Sequence, residues 1–165
     1  MLRKLCIIAV IALAPGVARA DSASQMTQAG TARAEVMTPL LLSHWTGFTL
    51  RFGRFSAGQA GTVTVSPAGV TTFAGGVDVA PGSTTSTDRF IVQGEANRQI
   101  TITTGSGTVT AGANSMAFTT TPSLPSGYIP VIGVGYFTVG GTLSVNGGQA
   151  PGTYSGSYAV TVAYN

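Results

Sequence analysis

At 165 residues the chain has the length of one domain, and the part that follows Ala20 is still long enough to bury a core without disulfides. Its formal charge of +3, from 8 basic and 5 acidic residues, resides in Arg3, Lys4 and Arg19; past them, Arg33, Arg51, Arg54, Arg89 and Arg98 balance Asp21, Glu35, Asp78, Asp88 and Glu95, which excludes the basic patch that nucleic acid or an anionic membrane demands. The single cysteine, Cys6, lies in the same opening stretch, so the remainder forms no disulfide even in a compartment that permits one.

In chain order, the first element is a secretory leader over residues 1–20. Arg3 and Lys4 start it, an apolar run extends from Leu5 to Ala14, Pro15-Gly16 breaks the run, and Ala18 and Ala20 flank Arg19, so cleavage is expected after Ala20. The apolar run is too short for a membrane span, which needs about 20 residues. The chain is therefore expected to be exported, to the periplasm, the outer-membrane surface or the medium. Residues 21–30, rich in Ser, Gln, Ala and Thr, read as an extended arm.

Residues 31–165 read as one all-β, antiparallel domain. Helical periodicity is nowhere sustained, and the density of Gly and Thr penalises helix. The runs of β type are Ala32 to Leu42, Thr46 to Phe52, Gly61 to Ser66, Val70 to Val79, Arg89 to Gly94, Gln99 to Thr104, Ser115 to Thr121, Gly135 to Val145 and Thr153 to Tyr164. Turn clusters separate them: Ser66 to Gly69, Pro81 to Ser83, Thr104 to Gly107, Pro125 to Gly127 and Asn146 to Gly148. Many short strands punctuated in this way predict a sandwich or barrel. Ile100 and Ile102 alternate with Thr101 and Thr103, as Val63 and Val65 do with their neighbours, so one face is buried and the other wet. In the last run Tyr154, Gly156, Tyr158, Val160, Val162 and Tyr164 share one face, while Thr153, Ser155, Ser157, Ala159, Thr161 and Ala163 share the other.

Little here carries chemistry. The lone His44, beside the lone Trp45, has no second ligand at metal spacing, and the pair is expected at a loop or strand end, with the indole packed and the imidazole hydrogen-bonded. Asp78, Asp88 and Glu95 are too scattered for a calcium loop, and Asp88 with Glu95 reads as solvated surface rather than a glycosidase pair. Gly133-Val134-Gly135 lacks the helix that a dinucleotide fingerprint requires. No catalytic residue, cofactor or metal is expected.

The segments Pro39-Leu40, Leu50 to Gly53, Gly61 to Gly69, Gly75 to Val77, Phe90 to Gly94, Gly140 to Val145 and Gly152 to Asn165 resemble, in order and ending, an exported bacterial family catalogued as domain of unknown function 4402. That family is in turn similar to spore coat protein U and to the pilin subunits of chaperone-usher systems. The pilin resemblance implies an immunoglobulin-like sandwich lacking its final strand. A periplasmic chaperone lends a strand to the open groove, and the N-terminal arm of the next subunit replaces it in a homopolymer. Pilins end in an alternating strand with a penultimate aromatic residue and a glycine fourteenth from the end, which here are Tyr164 and Gly152. The resemblance thus places the acceptor edge at Gly152, Tyr154, Tyr158, Val160, Val162 and Tyr164, and a donor at Met26, Ala32, Ala34 and Val36. The absent cysteines depart from the many pilins that carry a disulfide, and the alanines make a modest donor. Two alternatives stay open: Ala32 to Val36 as the domain's own first strand, and a self-contained exported sandwich that binds a glycan or other surface ligand.

Overall fold

The computed structural model describes residues 26–165. The expected leader, with its expected cleavage point at Ala20, lies outside the described residues. Residues 26–35 have no regular secondary structure and are exposed throughout.

From residue 36 onward the protein is an all-β, antiparallel sandwich of eleven strands, as the composition predicts: β1 Leu41–His44, β2 Phe55–Val65, β3 Thr71–Val79, β4 Asp88–Gln93, β5 Gln99–Thr104, β6 Gly107–Ala111, β7 Asn114–Pro122, β8 Ser126–Tyr128, β9 Val134–Val145, β10 Ser155–Ser157 and β11 Val160–Tyr164. Among the described residues there is no helix long and apolar enough to cross a membrane. β9 is the spine of the larger sheet. Along one flank it pairs first with β4 and then with β2, which pairs in turn with β3; along the other it pairs with β7. β1 extends the sheet beyond β4, and β6 and β10 extend it beyond β7. The smaller sheet has the order β11-β5-β8.

The two sheets share three stretches of chain. β5 runs into β6 across Gly105-Ser106, β7 into β8 across Ser123 to Pro125, and β10 into β11 across Tyr158-Ala159. The same neighbours therefore appear as β7-β6-β10 in one sheet and β8-β5-β11 in the other. Between the pairs Ser157↔Thr108 and Val160↔Thr104, Tyr158 and Ala159 oppose Gly105, Ser106 and Gly107. This bulge bends the ribbon from one sheet to the next. Gly107 suits the bend because a Cβ there would run into the Phe118 ring and the Ser157 carbonyl oxygen.

The core has two parts. One gathers Val63, Val77, Met116, Phe118, Leu143 and Val145. The other gathers Val92, Ile100, Ile102, Ile129, Phe137 and Val139 between the diverging sheets. Tyr158, at the bend, packs on both. The alternation expected at Val63, Val65, Ile100 and Ile102 is present, with all four buried.

The structure corrects several runs. Thr46 to Phe52 is not a strand: Phe48 N–H closes a turn on Trp45, and only Arg51 bridges, to Ser86. Its apolar residues Leu50 and Phe52 instead pack on the first cluster. Only Leu41 and Leu42 of the run Ala32 to Leu42 are in a strand, and β6 and β8 lie in segments expected to include turns. The single C-terminal run is two strands in two sheets.

Candidate functional site: the open edge of the last strand

Among the described residues β11 has one partner, β5. The Ala159 carbonyl accepts from Gly105 N–H at 2.9 Å, and Asn165 N–H donates to the Gln99 carbonyl at 3.1 Å. Because backbone groups alternate in direction along an antiparallel strand, Thr161 and Ala163 also bond to β5. The N–H and C=O groups of Val160, Val162 and Tyr164 then point the other way, where no strand is paired among the described residues. Their side chains point inward, half-buried on the second cluster beside Leu40 and Phe90. The expected alternation holds at Tyr154, Tyr158, Val160, Val162 and Tyr164, which are half-buried, with the opposite face exposed; Gly156, expected on the same face, is exposed in β10.

Two tyrosines fix the strand's course. The Tyr164 hydroxyl accepts from Glu95 N–H at 2.7 Å and donates to the Thr38 carbonyl at 3.0 Å, tying the end of β11 to the segments before β1 and after β4. The Tyr158 hydroxyl donates to Asp88 Oδ2 at 2.9 Å. Asp88, expected at a solvated surface, is instead only 6% exposed, and it also receives His44 Nε2 at 2.6 Å and Arg89 N–H at 2.8 Å on Oδ1. Burial first, then the hydrogen bond to Asp88 and its negative charge, push the Tyr158 phenol well above its ordinary pKa. The phenol stays a donor, and the His44–Asp88–Tyr158 group acts as a polar tie between β1, β4 and the bend.

His44 hydrogen-bonds as expected, its ring edge-on to Phe90. The Trp45 indole is packed, as expected, against Phe48 and Tyr136. Of the acceptor residues named from the sequence, Tyr158, Val160, Val162 and Tyr164 come together on the second cluster and Tyr154 sits on the first. Gly152 stands apart, exposed in the irregular stretch before β10. The four donor residues Met26, Ala32, Ala34 and Val36 are in no strand, and Met26 and Val36 are each 96% exposed. Among the described residues no three His, Cys, Asp or Glu side chains are grouped to hold a metal.

A second feature was not foreseen from the sequence. β7 leaves β9 after Ser123, whose N–H bonds to the Thr138 carbonyl at 2.8 Å. Where β8 and β9 part, an apolar groove of about 470 Å³ opens, lined by Trp45, Ile91, Tyr128, Ile132, Val134 and Tyr136 among others. The signal was present in the apolar run Tyr128 to Val134, which has neither strand alternation nor a turn cluster to explain it.

Neither a curated protein nor a solved structure matches this chain. One family model does, over residues 43–164, from the end of β1 to the end of β11, and so covers nearly the whole sandwich. On that match the chain belongs to the family described as Domain of unknown function (DUF4402).

Proposed function

We propose that this protein is a structural subunit of a bacterial surface fibre or coat, exported and assembled by donor-strand complementation through a chaperone-usher type of route. The observation that carries the reading is β11: an edge strand whose outward backbone groups at Val160, Val162 and Tyr164 have no strand partner among the described residues, while its inward side chains are half-buried. An exposed edge of this kind is a template for another strand, and an added strand gains its affinity from main-chain hydrogen bonds and its specificity from alternate side chains. The arm around Met26, Ala32, Ala34 and Val36, exposed and free of regular structure, supports the same reading as a donor. The resemblance to pilins and to spore coat protein U points the same way.

Co-expression with a periplasmic chaperone tests it. A one-to-one complex is expected, and, with the arm intact, a ladder of oligomers that collapses on boiling. Deletion of residues 21–36 should keep the chaperone complex and abolish the ladder. A chain that folds as a monomer and ignores the chaperone sinks the proposal. A second reading, a self-contained exported domain that binds a surface ligand, draws on a different observation: the aromatic groove between β8 and β9, which lies across the smaller sheet from β11.

A further inference from the structure

The outer face of β4 and β9 carries an arginine in unusual company. The Arg89 guanidinium carbon is 4.3 Å from the centre of the Phe48 ring, 5.2 Å from that of Trp45 and 5.5 Å from that of Tyr136. The turn that replaces the expected strand at Thr46 to Phe52 brings Phe48 back on Trp45, and the pairing Ile91↔Tyr136 sets Tyr136 beside them. Aromatic faces hold a guanidinium in place without neutralising it. Among the described residues Arg89 has no acidic partner, and its Nε is buried without any hydrogen-bond acceptor. A positive charge is therefore fixed in orientation and left unanswered.

Two of the three rings also line the groove between β8 and β9, Trp45 at 37% exposure and Tyr136 at 67%. Tyr128 lines it from the opposite side and is also exposed. The groove's volume, about 470 Å³, lies in the range of small-ligand sites. Its rings offer flat apolar faces with polar tips, and the Arg89 guanidinium, held against Trp45 and Tyr136 of the lining, has paired donors shaped for a carboxylate. A sugar acid matches both parts, with an apolar ring face for the aromatic side chains and a carboxylate for the arginine.

We propose that Trp45, Tyr128, Tyr136 and Arg89 form a binding site for an acidic saccharide, one whose residues carry a ring carboxylate. The site adds to the fibre reading and is independent of it, since it lies away from β11.

Trp45 is the only tryptophan, so its fluorescence reports on the site directly. The purified protein is titrated with tetragalacturonic acid, with the fully methyl-esterified form of the same tetrasaccharide, and with sodium acetate. The acid should give a saturable change in Trp45 emission, and the ester should bind weaker by roughly tenfold or more, the worth of one hydrogen bond to a charged group. Arg89→Gln should bring acid and ester to the same affinity, and Tyr136→Ala should weaken both, with calorimetry as the readout that does not depend on Trp45. Thermal melts establish that each variant is folded; if Arg89→Gln is not, Tyr136→Ala and the acid-to-ester ratio of the unaltered protein carry the test. The proposal is overturned by no saturable change, by equal affinity for acid and ester, by acetate reproducing the signal, or by a folded Arg89→Gln protein that still prefers the acid. Deleting residues 21–36 should leave the titration unchanged, so failure here and failure of the fibre reading remain separate results.

Discussion

Asp88 is the point at which three distant stretches of chain are tied, through His44, its own neighbour Arg89, and Tyr158 seventy residues on. Replacing Tyr158 by Phe leaves one oxygen of a buried carboxylate without its donor. The expected cost is about 2 kcal/mol, the scale of a hydrogen bond to a charged group, read as a lower urea midpoint at unchanged slope. The same phenol gives a pH signature. Its pKa in the folded protein is raised above the ordinary 10.0. Below pH 10 the folded and unfolded chains both hold the proton, and its contribution to stability is complete. Above pH 10 the unfolded chain ionises and the folded one resists, so stability falls as pH rises, by up to about 1.4 kcal/mol per pH unit for this one group. Urea unfolding at pH 9 and pH 11 should therefore show a smaller alkaline loss in Tyr158→Phe than in the unaltered protein; parallel losses would assign the effect elsewhere. The sequence made His44 legible as a hydrogen-bonded residue because a lone imidazole beside an indole has few other uses. Its partner was not legible, since only the register of β1 on β4 brings Asp88 to it.

At the scale of elements, β11 separates two kinds of backbone group that a single substitution type can tell apart. Ala163 N–H faces β5, while Val162 N–H faces the open edge. Ala163→Pro removes a ladder hydrogen bond and is expected to cost about 1–3 kcal/mol, the scale of leaving its partner unsatisfied. Val162→Pro removes a donor that the lone domain does not use, and proline is accepted on the free side of an edge strand. It should thus leave the monomer much closer to its original melting temperature while abolishing the chaperone complex and the oligomer ladder. Equal damage from both substitutions would mean that Val162 N–H already has a partner. This strand was read correctly in its alternation, because period-two burial is a property of the strand itself. Its break at Tyr158-Ala159 was not, because the break comes from the extra residue in the opposite stretch, Gly105 to Gly107, which in sequence resembles an ordinary turn. The same limit hid β6 and β8: short strands made of Gly, Thr and Ser carry little apolar signal, and they are held by neighbours rather than by their own composition.

For the whole molecule, the shared ribbon explains why the sandwich has two unlike open sides. β7, β6 and β10 lie together in the larger sheet, and the chain carries the same three neighbours over into β8, β5 and β11 of the smaller one. On the side where β9 loses β7 the opening becomes the aromatic groove; on the far side it leaves β11 as an edge. If a strand belongs on β11, the domain alone is incomplete, and its stability must rise with the concentration of whatever completes it. A ligand that binds only the folded state contributes about 2.7 kcal/mol at a hundredfold excess over its Kd, which for a domain of this size is a melting temperature higher by roughly 10 °C. A synthetic peptide with the sequence Asp21 to Met37, added in excess to the full protein, should produce such a rise, and a scrambled peptide should not. Val162→Pro should cancel it, because the added strand would lose the donor at the centre of β11. Ala32 and Ala34 contribute little apolar area, so replacing them by valine in the peptide should lower the concentration needed, as larger side chains bury more apolar surface. A melting temperature indifferent to every peptide would show the edge to be complete as it stands, and would leave the groove between β8 and β9 as the working face of the molecule.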